Sequence, residues 1–190
     1  LAGVAVTSAF GLSYMTLLPV FARDVLHAGA RGFGVLMASA GLGAVFGALG
    51  AATRSGTRGT RLVMALGQGA LGVGLVALAL TRHLATATGW LVFVGLGVAI
   101  QLSTTNGFLQ TTAPDHLRGR VVSLYIWLFS GLSTIGGLAA GWVAEHAGAP
   151  WTAAGAGAVC VLSALLMGLE MPFLRRAFAR PVGRADGRKH

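Results

Sequence analysis

Six long apolar stretches occupy most of the 190-residue chain, and they constrain its fold more than any other feature of the sequence. Each contains about 20 residues, and a helix of that length spans the ~30 Å hydrocarbon core of a bilayer. The stretches cover residues 1–21, 32–52, 62–80, 90–112, 121–142 and 151–171. The sequence therefore predicts an all-α membrane protein, with a six-transmembrane-helix bundle over residues 1–173.

Composition favours a membrane location over nucleic-acid binding, although the net charge is +9. The chain is 55% hydrophobic and only 10% charged, whereas a soluble domain carries roughly 25% charged residues. Its basic residues are dispersed among the connections and the C-terminal tail, which is typical of membrane loops. We therefore expect membrane lipid as a partner and no nucleic acid. The basic tail, residues 174–190, is predicted to be disordered.

The basic residues also predict the orientation of the chain. Of the 14 Lys and Arg residues, only Arg23, Arg31 and Arg82 lie on the first, third and fifth connections or the helix ends beside them. The other eleven lie on the second and fourth connections and the tail, so the positive-inside rule makes those segments and the C-terminus cytoplasmic. Leu1 opens inside an apolar run, and we therefore expect that further sequence precedes it.

Polar residues are concentrated in the first, fourth and fifth stretches. Because an unpaired amide is costly in hydrocarbon, we expect these helices to face protein or a wet cavity and the third and sixth to face lipid. Gln101 lies about 16 Å along its helix from Trp90, near the bilayer midplane, where transport sites usually lie. The cavity candidates are Tyr14, Gln101, Thr104, Thr105, Trp127 and Ser130. The alternative is that these polar groups bond helix to helix and contact no ligand.

Small residues are frequent in every stretch. Gly43 and Gly47 form one GxxxG motif, and Gly137 and Gly141 form another. In lipid, small residues let helix backbones approach closely and hold a bundle together. We expect both motifs to pack helices within the chain.

The chemistry of an enzyme is not expected. Ser130-Gly131 is the nearest approach to a nucleophile motif, but all five histidines lie in connections or the tail, so a Ser–His dyad at membrane depth is unavailable. The sequence also predicts no metal site and no cofactor. No Asp, Glu, His, Lys or Arg lies at membrane depth, and coupling groups in transporters are generally ionisable. Any coupling residue is therefore expected outside this sequence.

Two cytoplasmic connections carry a recognisable order of residues. The second connection holds Arg54, Gly56 and Arg58, and the fourth reads PDHLRGRVVSL from Pro114 to Leu124, with Arg118 and Arg120. Together with LPVFARDVL at residues 18–26 and Gly32-Phe-Gly34, they make the chain resemble the second six-helix half of the major facilitator superfamily. The similarity is to its enterobactin-exporter-like branch, the transmembrane secretion effectors. Thr53 stands where the superfamily loop has an acidic residue.

The resemblance implies a twelve-helix transporter working by alternating access, with this chain supplying the second half of the fold. It implies that the first, second, fourth and fifth helices line the cavity and that Arg54, Gly56, Arg58, Arg118 and Arg120 belong to cytoplasmic gating loops. The expected function is proton-driven export of a small amphipathic molecule, such as a siderophore or drug, across a bacterial inner membrane. The expected partners are this substrate and an N-terminal six-helix half.

An alternative function is a non-transporting membrane scaffold or sensor, built from six helices that pair with a second copy. One observation distinguishes it from the transporter hypothesis, namely whether the reading frame upstream of Leu1 encodes six more helices. The residues of the chain itself leave both hypotheses open.

Overall fold

The computed structural model describes residues 14–53, 60–114 and 116–178, and this part of the chain is entirely helical apart from short connections. The first helix, Tyr14–Val20, leads directly into a π-helical turn at Phe21–Val25. The helices are α1 (Tyr14–Val20), α2 (Gly29–Ala52), α3 (Thr60–Leu80), α4 (Leu84–Thr112), α5 (Arg118–Ala147) and α6 (Ala149–Phe178). In the described part of the chain, α2 to α6 are each long and apolar enough to span a membrane. The prediction of an all-α, multi-pass membrane protein is confirmed.

Several helices are longer than the apolar stretches that predicted them. Helix α4 begins at Leu84 instead of residue 90, and α6 continues to Phe178, into the segment predicted to be a disordered tail. Hydrophobicity marks only the part of a helix that lies in lipid, while backbone hydrogen bonding continues until a residue ends it. Most of the first stretch, residues 1–13, lies outside the described residues.

The helix ends follow from residues that cannot continue a helix. Ala113 is extended, with ψ of 133°, because the ring of Pro114 disfavours a helical conformation in the residue before it. At the end of α5, Gly148 has a φ of 89°, a left-handed value that favours glycine. Its N–H donates to the carbonyl of Ala144 and so closes the helix.

Helix α4 lies at the centre of the packing. It contacts α2 and α3 extensively, and α3 in turn packs along α6. The core between them is built from leucine, valine and alanine side chains of α1, α2, α3, α4 and α6. Helix α5 contacts α1, α4 and α6 less extensively. The described chain therefore forms one bundle in which α5 is the least embedded long helix.

Glycines bring the central helices into backbone contact. A Cβ on Gly43 of α2 would overlap the carbonyl oxygen of Val92 and lie 2.9 Å from its Cα. Gly95 of α4 makes the reciprocal approach to the backbone of Ala40. Since only a residue without a Cβ fits at either position, the first GxxxG motif packs helices as expected. The second motif is used only in part: a Cβ on Gly137 would lie 3.2 Å from Thr16 Oγ1 of α1, whereas nothing lies within 4 Å of one built on Gly141.

The burial of whole helices does not follow their polarity. Helix α3 was expected on the lipid side. However, its most apolar 18-residue segment is 50% buried, because the helix lies between α4 and α6. Helix α5 was expected to face protein or a wet cavity, yet only 6% of its corresponding segment is buried inside the chain. Most of α5 is therefore open, while half of the most apolar segment of α3 is enclosed.

Candidate functional site

The predicted cavity residues separate into a buried group and an open group. Tyr14, Gln101 and Thr105 are buried, with Gln101 only 1% and Thr105 only 3% exposed. Thr104 is half-buried and Ser130 is exposed. Trp127 is 76% exposed on α5. The structure thus does not gather the six residues into one pocket, and their role as cavity residues stays a prediction.

Gln101 and Thr105 belong to the part of the core nearest the end of the bundle at which α2 and α4 end and α3 and α5 begin; we call it the basic end. The buried face of α3 runs from Leu78, Leu75 and Leu71 to Gln68 as it approaches this end, and the buried face of α4 changes in the same way. On α4 the sequence is Ala87, Leu91, Val94, Val98, Gln101 and Thr105. The core is therefore apolar in one half and polar in the other.

Gln101 and Thr105 place hydrogen-bonding groups in this polar half without satisfying them. Neither the amide nitrogen nor the amide oxygen of Gln101 has a hydrogen-bond partner among the described residues, and the same holds for the Thr105 hydroxyl. Burying such groups unpaired costs about 2–7 kcal/mol each on transfer scales. The two residues are one helical turn apart and lie on the same face of α4.

Tyr125 of α5 is a third group of this kind, and it was not among the predicted cavity residues. It is 9% exposed, its hydroxyl has no partner within the described residues, and its ring lies 5.8 Å from that of Phe129. The sequence holds a weak signal for it, because Val121, Tyr125 and Phe129 repeat at the spacing of one helix face. Without knowledge of which face is buried, that signal does not separate Tyr125 from its neighbours.

Trp127 and Ser130, the two exposed residues among the predicted cavity residues, lie on the long exposed face of α5. Large side chains on this face are exposed to the surroundings of the chain: Leu124, Ile126, Trp127, Leu128, Ile135, Leu138 and Trp142. Exposed hydroxyls are interspersed with them, and that of Thr134 donates to the carbonyl of Ser130 on its own helix. This self-satisfied polar group can lie beside an apolar molecule at little cost. The face therefore suits contact with an amphipathic surface or ligand.

The predicted gating loops are only partly described. Arg54, Gly56 and Arg58 lie outside the described residues. Arg118 and Arg120 are exposed in the first turn of α5, where the positive end of the helix dipole disfavours cations. Their role in a gating loop stays a prediction.

A shallow cleft lies at the basic end, between α2, α3 and α4. Its volume is about 240 Å³ and its lining residues are Gly50, Thr53, Val63, Leu66 and Ile100. Ligand pockets usually enclose roughly 300–1,000 Å³, so this cleft is small, and its lining offers one hydroxyl side chain. Its lining does not include any of the predicted cavity residues.

Comparison with known proteins gives the chain a family. No curated protein matches it. A family model described as transmembrane secretion effector matches residues 2–178, which is nearly the entire chain. The match extends over all six helices and both basic connections. Together with the apolar helices, it shows that the chain is a multi-pass membrane protein of the transmembrane secretion effector family, a family of major facilitator transporters.

Proposed function

We propose that the protein is a secondary active exporter that moves a small amphipathic molecule, such as a siderophore or drug, by alternating access. The observation that carries the proposal is the open face of α5, a long membrane-spanning surface that its own bundle leaves uncovered. Family membership supports transport in general. The mixture of aromatic, aliphatic and hydroxyl groups on α5 supports an amphipathic cargo, since it offers stacking and hydrogen bonding without charge.

A second six-helix unit is the proposed partner of this face. In lipid a helix gains little by burying apolar side chains, so exposed leucines alone would not call for a protein partner. Exposed Ser123 and Ser130 lie among them, and their hydroxyls are better placed in a wet cavity than in acyl chains. The cargo path would then run between α5 and the second unit, past Trp127 and Ser130.

The proposed driving force is the proton gradient, with the coupling residue on the second unit. Helix α4 carries no charged residue, and α5 carries none between Arg120 and Glu145. Proton coupling generally requires an ionisable residue at membrane depth. The basic residues around 54–61 and 118–120 support a cytoplasmic position for this end, in a bacterial inner membrane with a cytoplasmic C-terminus.

Transport in everted membrane vesicles tests the proposal. The protein encoded by the full reading frame is expressed, and accumulation of fluorescent siderophores and amphipathic drugs is followed with an imposed proton gradient. Accumulation should depend on the gradient and should fall on adding an uncoupler. A protein that inserts stably, yet moves none of these compounds under any gradient, would contradict export and favour the scaffold or sensor hypothesis.

A further inference from the structure

Three buried side chains carry hydrogen-bonding groups that nothing in the described chain satisfies. They are the carboxamide of Gln101 and the hydroxyls of Thr105 and Tyr125. Each residue is at least nine-tenths buried. Buried polar groups in native proteins nearly always have partners, from the protein or from an ordered ligand or water. Bound water or a ligand at these positions would satisfy them.

The three groups occupy neighbouring levels of two contacting helices. Helices α4 and α5 are consecutive, and a short connection at residues 113–117 joins their ends. Thr105 lies seven residues before the end of α4 and Tyr125 seven residues after the start of α5, so each is about 10 Å from the basic end. Gln101 is one turn deeper than Thr105 on the same face. The two helices contact each other.

The available groups define the chemistry of the ligand. A carboxamide offers two donors and an acceptor oxygen, and each hydroxyl can donate or accept. No charged residue lies anywhere on α4 or on α5 between Arg120 and Glu145. An ion would therefore lose its hydration without a compensating charge. A neutral ligand that both donates and accepts hydrogen bonds fits this set.

We propose that Gln101, Thr105 and Tyr125 line a closed site between α4 and α5 that binds a neutral hydrogen-bonding ligand. Two sources share this chemistry, namely resident water and a hydroxyl or amide group of the cargo. The site is distinct from the open face of α5, because Trp127 is exposed whereas these three side chains are enclosed. Only the cargo source rests on the proposed transport function.

Hydroxyl-radical footprinting of the full chain in lipid nanodiscs, without cargo, tests for resident water. Radicals formed from bound water oxidise adjacent aromatic rings, so Tyr125 should be oxidised despite its burial. Phe21 is a matched internal reference, since it is 1% exposed and lies in the apolar part of the core. Oxidation of Tyr125 several times faster than Phe21, reduced by Gln101→Leu, would support the water-filled site.

Transport kinetics test for the cargo. Thr105→Val and Tyr125→Phe should raise KM for a hydroxyl-bearing substrate about three- to tenfold, the effect of one lost hydrogen bond, with kcat retained. Thr111→Val is the matched control on the same helix, because its exposed hydroxyl donates to the carbonyls of Gly107 and Phe108. An unchanged KM together with fast Tyr125 oxidation would assign the site to water alone.

One combined result would overturn the site. The result has three parts: Tyr125 is as unreactive as Phe21, KM is unchanged, and Thr105→Val and Tyr125→Phe both raise the unfolding temperature. It would show that the α4–α5 contact holds no water or ligand and that the polar groups are simply unsatisfied. Tyr125→Phe removes a single oxygen atom, so it keeps the test usable if Thr105→Val fails to fold. A wild-type protein that transports nothing would refute the proposed function, while footprinting would still decide the water-filled site.

Discussion

The contacts of α4 with α2 and α3 differ sharply from those of α5 with the same bundle. Around α4, glycines bring backbones into direct contact, as at Gly43 and Gly95. Along α5, Gly131 and Gly141 have open space, Gly137 approaches only the Thr16 side chain of α1, and most large side chains are exposed. Helices α4 and α5 are equally apolar in sequence, but α4 is packed against its neighbours whereas α5 is largely exposed. We infer that the first region is a rigid support and that the second is a surface for cargo or a partner.

The largest expected effect comes from breaking the α2–α4 contact. Gly43→Ala places a Cβ against the backbone of Val92, which cannot move aside as a flexible side chain could. We expect a loss of about 3 kcal/mol in unfolding free energy, at the upper end for overpacking. The measurement is the unfolding midpoint in detergent, followed by the monodisperse fraction after heating.

Gly41→Ala is the matched control, two residues earlier on the same helix. A Cβ there meets nothing within 4 Å. Because alanine favours a helix over glycine by up to about 1 kcal/mol, this variant should be as stable as the wild type or slightly more so. Equal destabilisation by the two variants would show that the close α2–α4 approach is not present.

A smaller effect is expected at the α3–α6 contact. A Cβ on Gly72 would lie 2.7 Å from the backbone nitrogen of Val161 and 2.8 Å from the carbonyl oxygen of Gly157. This approach is less close than at Gly43, so Gly72→Ala should cost about 2 kcal/mol. At Gly69 the nearest atom is a side-chain carbon of Ala164 at 3.8 Å. Gly69→Ala should therefore leave the midpoint unchanged, and a larger loss there than at Gly72 would contradict the packing.

Substitution on the open face of α5 should change transport more than stability. Trp127→Ala removes a side chain that is 76% exposed, so unfolding free energy should stay within about 0.5 kcal/mol of the wild type. Transport should fall if cargo passes this face. Trp151→Ala is the matched control, because Trp151 is also 76% exposed but lies at the start of α6. Equal loss of transport by both variants would remove the special role of α5.

The smallest effect on stability is expected from a substitution that introduces a cysteine, and labelling of that cysteine measures its accessibility directly. The single cysteine, Cys160, is fully buried in the core, so the wild-type protein should not react with a polar maleimide. Ser130→Cys on the open face should react in the absence of a covering partner. Protection of this cysteine in the full-length protein, reversed when cargo export is driven, would support a cargo path along α5.

Labelling also tests the predicted orientation. His116→Cys lies at the basic end and His83→Cys at the opposite end of the bundle, and both are exposed positions. In intact cells the second should react with an impermeant maleimide and the first should not. The reverse pattern would contradict the positive-inside assignment.

How much could be predicted from sequence is clearest at the glycine motifs. Both GxxxG motifs were expected to pack helices within the chain, and Gly43 does so against Val92. In the second motif Gly137 lies close to Thr16 of α1, but for Gly141 the same prediction is wrong, since a Cβ there would meet nothing. A GxxxG motif allows another helix to approach closely, but whether one does so depends on where that helix lies in the fold.

The candidate site shows the same limit. Gln101 and Thr105 were singled out because polar groups in hydrocarbon need partners, and that argument needs only the sequence. Tyr125 was missed because apolar and hydroxyl side chains are interspersed around α5, so its sequence does not show which face is buried. Similarly, the low polarity of α3 predicted contact with lipid. Leu66, Val73 and Leu80 are indeed exposed, but half of its most apolar segment is buried because the helix packs against α4 and α6.

The sequence by itself determined that this protein is a bundle of membrane-spanning helices, because bilayer thickness and the cost of unpaired backbone groups leave few other folds. It also determined where charges lie along the chain. Only the tertiary structure decided which faces meet: that Gly95 contacts Ala40, that Tyr125 is enclosed and that Trp127 is exposed. The physical reason is that, among apolar helices in lipid, contact is selected by shape and not by hydrophobicity.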